Sequence, residues 1–570
     1  MKMNQRRAYV NGKFHTQDDD NPMAQAVIVI DDRFSFVGSN AEALRRIGDG
    51  EVIDLAGRCV IPGLNDTHTH GIRQGLNFAL ELRWDGVRTL EAALAMLRDY
   101  AAIAPPGQWI RVVGGWSLSQ FEEKRLPTIE EINAVSPDVP VYVLHVYDRA
   151  WLNRAALDAL GIDEHYYETW HAGHLVRDDR GVPTGLVLAR PNAFPLYALL
   201  DMAPKLDREG QRRSTRQYMQ ALNALGVTSL LDCAGGFLNY PDDYNVITDL
   251  HATQQLTVRM GYQLFAQRPG KELEDFKRWN DINGSGRGDS YLKCIGAGEM
   301  LVASAYDYED FSFPRPTLAP QMEGELRPVL DFLLSNGWSF RFHCTYDESA
   351  RRLLDVIESV AGSEELGKLN WILDHGETLS EQTIERVARL GGGISYQNRL
   401  PFQVREFREQ YGEAALREAM PVRKMIASGV PLASGTDATR VTSYNPWFCI
   451  HWLVTGLGMG GERIWNERDC LTRDEAIRHW TRNGAWFSRD IGEKGMIKAG
   501  QLADFAVLTR DFFEIDSDEI PELGSVLTVV GGRIVHGDEE FSGSSEIEVP
   551  RIERESPVYH FGAPGMPAVA

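Results

Sequence analysis

Between residues 58 and 438 the chain alternates two textures: short apolar runs, and longer stretches whose apolar residues recur at helical spacing. The apolar runs predict eight strands, at 58–70, 227–234, 256–265, 290–298, 338–344, 369–376, 392–398 and 430–438. Between them lie amphipathic segments such as ESARRLLDVIESV and SEQTIERVARL, which predict helices. Eight strands with intervening helices is the count that closes a (β/α)8 barrel, and an α/β fold of that class is the expectation.

The gap between the first and second strands exceeds any single crossover. Residues 76–210, with PTIEEINAVS and RAALDALGI as helices and PVYVLHV as a strand, predict an insertion on a βα loop, where it roofs the end of the barrel that carries catalytic loops. A different texture marks the two ends. RAYVNGKF and AVIVIDDRFSFVG near the start, and GQLADFAVLT and SVLTVVGGRIVHG near the finish, are short β runs punctuated by turns. They predict one small β-sandwich built from 1–60 and 490–548, a barrel over 61–489, and an extended, loosely packed tail over 549–570.

At 570 residues the chain is long enough for several structural units. Its formal charge of −22 argues against broad contact with nucleic-acid phosphates. No apolar stretch reaches the length of a bilayer-spanning helix, and no secretory apolar region opens the sequence. The six cysteines show no C-x-x-C spacing and several lie inside apolar runs, which suits reduced thiols in the cytoplasm. A small-molecule partner is expected, with neither nucleic acid nor membrane.

Chemistry gathers at the strand ends. His68 and His70 stand at i and i+2 on the first strand, so one face carries both imidazoles. His343, His375 and Asp437 close the fifth, sixth and eighth strands, at the face where barrel enzymes collect their working groups. Each alone is most often a hydrogen-bonded core residue. Five ionisable groups converging on one rim is costly without a cation to pair them, so the joint reading is a divalent metal site. Asp437 is the candidate base, and His343 or His375 the candidate oxyanion stabiliser. Trp116, Tyr396, Gln397 and Arg440 are candidate substrate contacts, although packing accounts for each equally well. His145 reads as a packed strand residue. Asp232 reads equally as a ligand-orienting carboxylate or a loop acceptor.

His68-Thr69-His70 after VIPGLNDT, then His343, His375 and Gly435-Thr436-Asp437, together with the closing GMIKAGQLADFAVL, resemble the metal-dependent amidohydrolase superfamily. VVGGWSLSQF, GVPTGLV, ILDHGETLSEQTIERVARLGGGISYQN and IASGVPLASGTDA narrow the resemblance to its YtcJ-like branch, amidohydrolase family 3. The resemblance implies that His68, His70 and Asp437 hold one ion, usually Zn2+, while His343 and His375 hold a second or steer substrate. In binuclear members a lysine at the place of Lys293 is carboxylated and bridges two metals, the alternative being a neutralised or surface-reaching lysine; Glu299, which reads equally as loop-exposed, is the rival ligand on the same strand. Two departures touch the pocket wall: Cys344-Thr345-Tyr346-Asp347-Glu348-Ser349-Ala350 replaces a Gly-Asp-Arg-Ala-like run, and Tyr147-Asp148-Arg149 a Gly-His pair.

The activity so implied is hydrolysis of a C–N amide bond other than a peptide bond, with N-substituted formamides first among substrates and a homodimer as the family-level assembly. Deamination or cyclic-amide opening uses the same residues. A catalytically silent, metal-binding regulator is the reading from a different class, against which the full ligand set speaks.

Overall fold

The computed structural model describes residues 6–166, 175–189, 193–308, 310–548 and 550–570. Its centre is an eight-stranded parallel sheet whose strands follow chain order: β1 (Leu64–Thr69), β2 (Val227–Asp232), β3 (Arg259–Leu264), β4 (Leu292–Ala297), β5 (Ser339–Cys344), β6 (Ile372–His375), β7 (Gly393–Gln397) and β8 (Leu432–Gly435). The first and last strands meet: the Asp437 amide donates to the His68 carbonyl at 2.8 Å and the His70 amide to that of Ala438 at 3.0 Å, nearly closing a barrel. Predicted helices fall where the periodicity put them, at Asp347–Val360 and Glu381–Arg389.

The run at 58–70 is two strands, not one. Cys59–Pro62 pairs with Phe505–Leu508 in a six-stranded terminal sheet, and the chain then passes through Gly63 into β1. A Cβ at Gly63 would lie 2.0 Å from Thr228 Oγ1, so this transfer between sheets requires glycine. The terminal sheet also takes Lys13–His15 and Ser525–Val530, while Arg6–Val10, Ala26–Ile30, Arg33–Gly38 and Glu51–Asp54 form a second, four-stranded sheet. Tyr9, Phe14, Phe505, Val507 and Val529 pack between them, joining both ends of the chain in one core.

Between β1 and β2 a five-stranded sheet holds Ile110–Val113, Val141–His145, Arg149–Leu152, Pro183–Leu188 and Leu175–Arg177, with its own apolar cores. The C-terminal tail differs from the loose segment expected. Pro557–Phe561 is helical, Val558 is buried, and Ser556 Oγ donates to the Ala79 carbonyl at 2.7 Å. Among the described residues no helix is long and apolar enough to cross a membrane.

Inside the barrel, side chains stack in layers. Leu231, Ile295, Ile372 and Ala433 form an apolar layer that Phe487 caps from the base. Above it, Arg341 of β5 donates to Gln263 Oε1 of β3 at 3.1 Å and to the Thr67 carbonyl of β1 at 3.2 Å, and pairs with Asp374 of β6. This buried guanidinium is the floor on which the candidate site stands.

Candidate metal centre

Strand alternation aims His68 inward, and His70 leaves the end of β1 beside it. The His68 Nδ1 faces Asp374 Oδ1 at 2.9 Å, and the His70 Nδ1 donates to the Ala234 carbonyl at 2.6 Å. Each partner leaves an Nε2 lone pair turned toward the barrel axis. Asp232 places that carbonyl: its carboxylate accepts the Ile72 amide at 2.7 Å and the Ala234 amide at 2.8 Å. Of the two readings left open for Asp232, the bonds are those of a loop acceptor, acting on His70 through Ala234.

His375 and Asp437 reach the same axis by a different device. Asp374 and His375 are consecutive, so a regular strand turns one of them out. His375 instead adopts φ 70° and Asp437 φ 55°, left-handed backbone that bends both back toward the mouth. The result is two overlapping donor sets, His68–His70–Asp437 and His68–Glu299–His375, each with its ligand atoms within 4.8 Å of one another. Asp437 Oδ1 lies 3.1 Å from His70 Nε2 and 3.4 Å from His68 Nε2. Glu299 Oε2 lies 3.3 Å from His343 Nδ1, 3.5 Å from His375 Nε2 and 3.6 Å from His68 Nε2.

The donors fit a divalent cation. His68 Nε2 and both ring nitrogens of His375 are buried without a hydrogen-bond partner, a cost that coordination removes. Imidazole nitrogens with carboxylate oxygens are the ligand mixture of zinc and its first-row neighbours. Burial pushes the Asp437 carboxyl up, but the adjacent His68 and His70 imidazoles outweigh it and hold the group well below the usual range. Burial likewise opposes ionisation of Glu299, and His343 and His375 override it. Burial and the neighbouring His343 lower His375, keeping it in the neutral form that coordinates.

Lys293 is not in this cluster, which corrects its expected role as the bridging ligand. It shares the inward face of β4 with Ile295 but sits at the base of the barrel, where its Nζ pairs with Asp490. Glu299 lies six residues further on, beyond the end of β4 at Ala297 and at the mouth of the barrel. The rival carboxylate therefore occupies the place expected of the lysine. Three expected substrate contacts are also elsewhere. Trp116 is buried in the insertion, its Nε1 donating to the Leu144 carbonyl at 2.9 Å and its ring 4.9 Å from His145. Tyr396 points out of the barrel, its hydroxyl 2.7 Å from His479 Nδ1. Gln397 points in but is occupied: its Oε1 accepts the His375 amide at 3.0 Å, and its Nε2 donates to Ser395. Arg440 does reach the cleft side, stacked 4.1 Å over the Tyr197 ring. His145 is a packed strand residue, with Nδ1 2.8 Å from Asp148 Oδ1.

The family model described as "Amidohydrolase family" matches residues 51–536, most of the chain. The chain belongs to the amidohydrolase family. It is 27% identical to the N-substituted formamide deformylase of Arthrobacter pascens, covering 92% of this chain and 97% of that protein. To the putative amidohydrolase YtcJ of Bacillus subtilis it is 24% identical, over 92% and 98% of the two chains. The structure of an uncharacterized metal-dependent hydrolase from Pyrococcus horikoshii superposes with a TM-score of 0.67 at 18% identity, covering 90% of this chain and 99% of that one, which shows the shared fold.

In this amidohydrolase the metal centre opens into a cleft of about 680 Å³ lined by His70 and Glu299. Tyr147, Phe194, Tyr197, Phe237, Tyr306 and Tyr308 give it an aromatic wall. Tyr147 belongs to one of the segments that depart from the family pattern. Sequence reasoning missed Asp374 and Arg341, which hold His68, and Asp307, whose Oδ1 lies 3.6 Å from His343 Nε2. Burial pushes Asp307 up to about 6, and the Thr345 and Tyr346 amides donate to it at 3.0 Å. Parity along β6 marks Asp374 as inward; for Asp307, in a loop, no local signal exists.

Proposed function

We propose that this protein is a metal-dependent hydrolase of a C–N amide bond in a small molecule, with N-substituted formamides as the first class to test. The observation that carries the reading is the position of Asp437, an ionised carboxylate between the Nε2 atoms of His68 and His70, the second of which lines an aromatic cleft. When bound, a divalent cation, with zinc first by ligand type, supplies Lewis acidity and acidified water. His68, His70 and Asp437, with Glu299, His343 and His375, are the residues that would hold one ion or two.

The chain's own groups supply the rest. Asp437, kept ionised by its imidazole neighbours, accepts a proton from the attacking water at Oδ2 or Oδ1 and returns it to the departing nitrogen. Asp374 and the Ala234 carbonyl hold His68 and His70 in single tautomers, so neither ring reorganises during the reaction. The aromatic wall excludes water and receives the N-substituent. The A. pascens relative, named for deformylation of N-substituted formamides, supports the choice of bond.

The test is metal-loaded protein against a panel of N-substituted formamides, other small amides, cyclic imides and aminated heterocycles, scored for formate, free amine and ammonia. Formate and amine in equal amounts are expected, with Asp437→Asn slower by about a thousandfold. Ammonia alone moves the assignment to deamination. No turnover by wild type on any member overturns the enzyme reading and favours a silent, ligand-binding relative.

A further inference from the structure

The cleft over the metal centre continues into a side pocket of about 80 Å³; the two cavities share Arg73, Asp201, Lys205, Gly236, Phe237 and Asp243. Arg73, Arg111 and Arg440 line the side pocket, and each is more than nine-tenths buried. Arg73 lies one helical turn beyond His70, on the same face of helix Gly71–Asn77. A Cβ placed on Gly235 would sit 2.9 Å from Arg73 Nη1 and 3.2 Å from His70 Nδ1, so guanidinium and metal-site imidazole pack on one glycine. Arg73 and Arg440 flank Tyr197, at 5.6 Å and 4.1 Å from its ring centroid.

These charges are only partly compensated: Glu81 attracts Arg111 and Arg440, Asp437 attracts Arg73, and Arg111 Nη2 donates to the Pro204 carbonyl. Arg73 Nη2, Arg111 Nε and Arg440 Nη1 are buried with no hydrogen-bond partner. The carboxylates at the pocket wall are engaged elsewhere: Glu81 accepts from Gln74 at 2.8 Å and Arg83 at 3.1 Å, Asp201 pairs with Lys205 at 2.6 Å, and Asp243 accepts the Asn239 amide at 2.7 Å. Burial, and for Arg440 the neighbouring Arg73, lower Arg111 and Arg440 to about 10. In a protein of net charge −22, a buried, under-compensated group of guanidiniums beside a hydrolytic centre is costly unless an anion enters it.

We propose that this pocket binds a carboxylate of the substrate, so that the amide cleaved carries an acidic group within a few bonds of its scissile nitrogen. The assignment of that amide rests on the hydrolase reading above; the pocket itself rests on the three arginines. Guanidinium forks match a planar carboxylate, and the volume admits one. Arg440 and Arg73 then select the substrate and hold its amide over the metal centre.

Two measurements on the metal-loaded protein separate the claims. By calorimetry, benzoate binds wild type at least tenfold more tightly than benzamide, and the preference collapses in Arg440→Met; Arg440→Lys, which keeps the charge, retains part of it. A preference that survives in Arg440→Met places the anion on the metal and overturns the pocket, as does equal binding of the two ligands to wild type. Tighter binding of phenylphosphonate than benzoate overturns the choice of carboxylate. For hydrolysis, N-formyl amino acids with the carboxylate one to three carbons from nitrogen are compared with their neutral carboxamides, and the best acid is expected to exceed its carboxamide at least tenfold in kcat/KM. If benzoate is preferred but no formamide is cleaved, the reaction reading fails and the pocket stands. Formamides cleaved with no gain from the acid, together with no benzoate preference, leave the reaction and remove the pocket.

Discussion

Asp374→Asn is the perturbation that separates the scaffold of the metal centre from its ligands. Asp374 is fully buried and has two partners, the Arg341 guanidinium and His68 Nδ1 at 2.9 Å. Arg341 and His68 hold its carboxyl below the usual range against the opposing effect of burial. The asparagine keeps the shape and removes the charge, leaving a buried guanidinium without its counter-ion. Breaking a buried pair in this way costs about 3–5 kcal/mol. Arg341 retains Gln263 and the Thr67 carbonyl as acceptors, so the lower end, about 3 kcal/mol, is expected. His68 also loses the anion that orients it, which lowers metal affinity by about 10–100-fold. Equilibrium urea unfolding of the metal-free protein reads the first effect, and competition with a chromogenic chelator reads the second. The double variant Arg341→Met with Asp374→Leu restores only part of the stability, because the apolar pair carries no buried charge but leaves the Thr67 carbonyl and Gln263 Oε1 without their donor, and it does not restore the metal affinity. A loss below about 1 kcal/mol in the single variant, or unchanged metal affinity, refutes the reasoning.

Three further substitutions probe the frame. Gly435→Ala puts a Cβ 2.4 Å from the His68 amide nitrogen, where backbone cannot yield; thermal melting should register a loss of about 1–3 kcal/mol, with weakened metal binding. Arg259 pairs with Asp504 at 2.7 Å between the barrel base and the terminal sheets, and Arg259→Met, which strands a buried carboxylate, should cost about 3–5 kcal/mol by urea unfolding. Glu475 closes a capping box with Thr472 and pairs with Arg423, whose hydrogen bonds lower its carboxyl to about 2. A carboxyl lowered on folding stabilises above its ordinary value near 4.5 and loses that contribution as pH falls toward 2. Glu475→Gln should therefore cost about 1 kcal/mol at pH 7, and its stability should converge with wild type in acid; a constant gap across that range contradicts the linkage.

The barrel was legible because its strands are buried on both faces, and such strands announce themselves as apolar runs whatever the loops do. The four histidines and Asp437 were legible for the same reason: each follows an apolar run, so its end of the strand is known. Lys293 and Glu299 show where this reasoning stops. They lie six residues apart, an even number, so alternation puts both on one side and cannot tell the base of the barrel from its rim. Tyr396 failed differently, since parity with Ser395 and Gln397 already argued that it faces outward. Trp116 comes from the insertion and Arg440 from a loop, where packing has no periodic signature, and Arg73 from a helix of seven residues, too short to show one. The tail looked loose because its prolines and glycines interrupt any period, yet Val558 and the hydroxyl of Ser556 anchor it.

Metal analysis of purified wild type, Glu299→Gln and Lys293→Ala, each equilibrated with one concentration of zinc and dialysed, tests the centre most directly. Wild type is expected to retain at least one equivalent, Lys293→Ala the same amount, and Glu299→Gln clearly less. A Lys293→Ala protein that loses metal while Glu299→Gln keeps it, or a wild type that retains none, contradicts the ligand set on which the account is built.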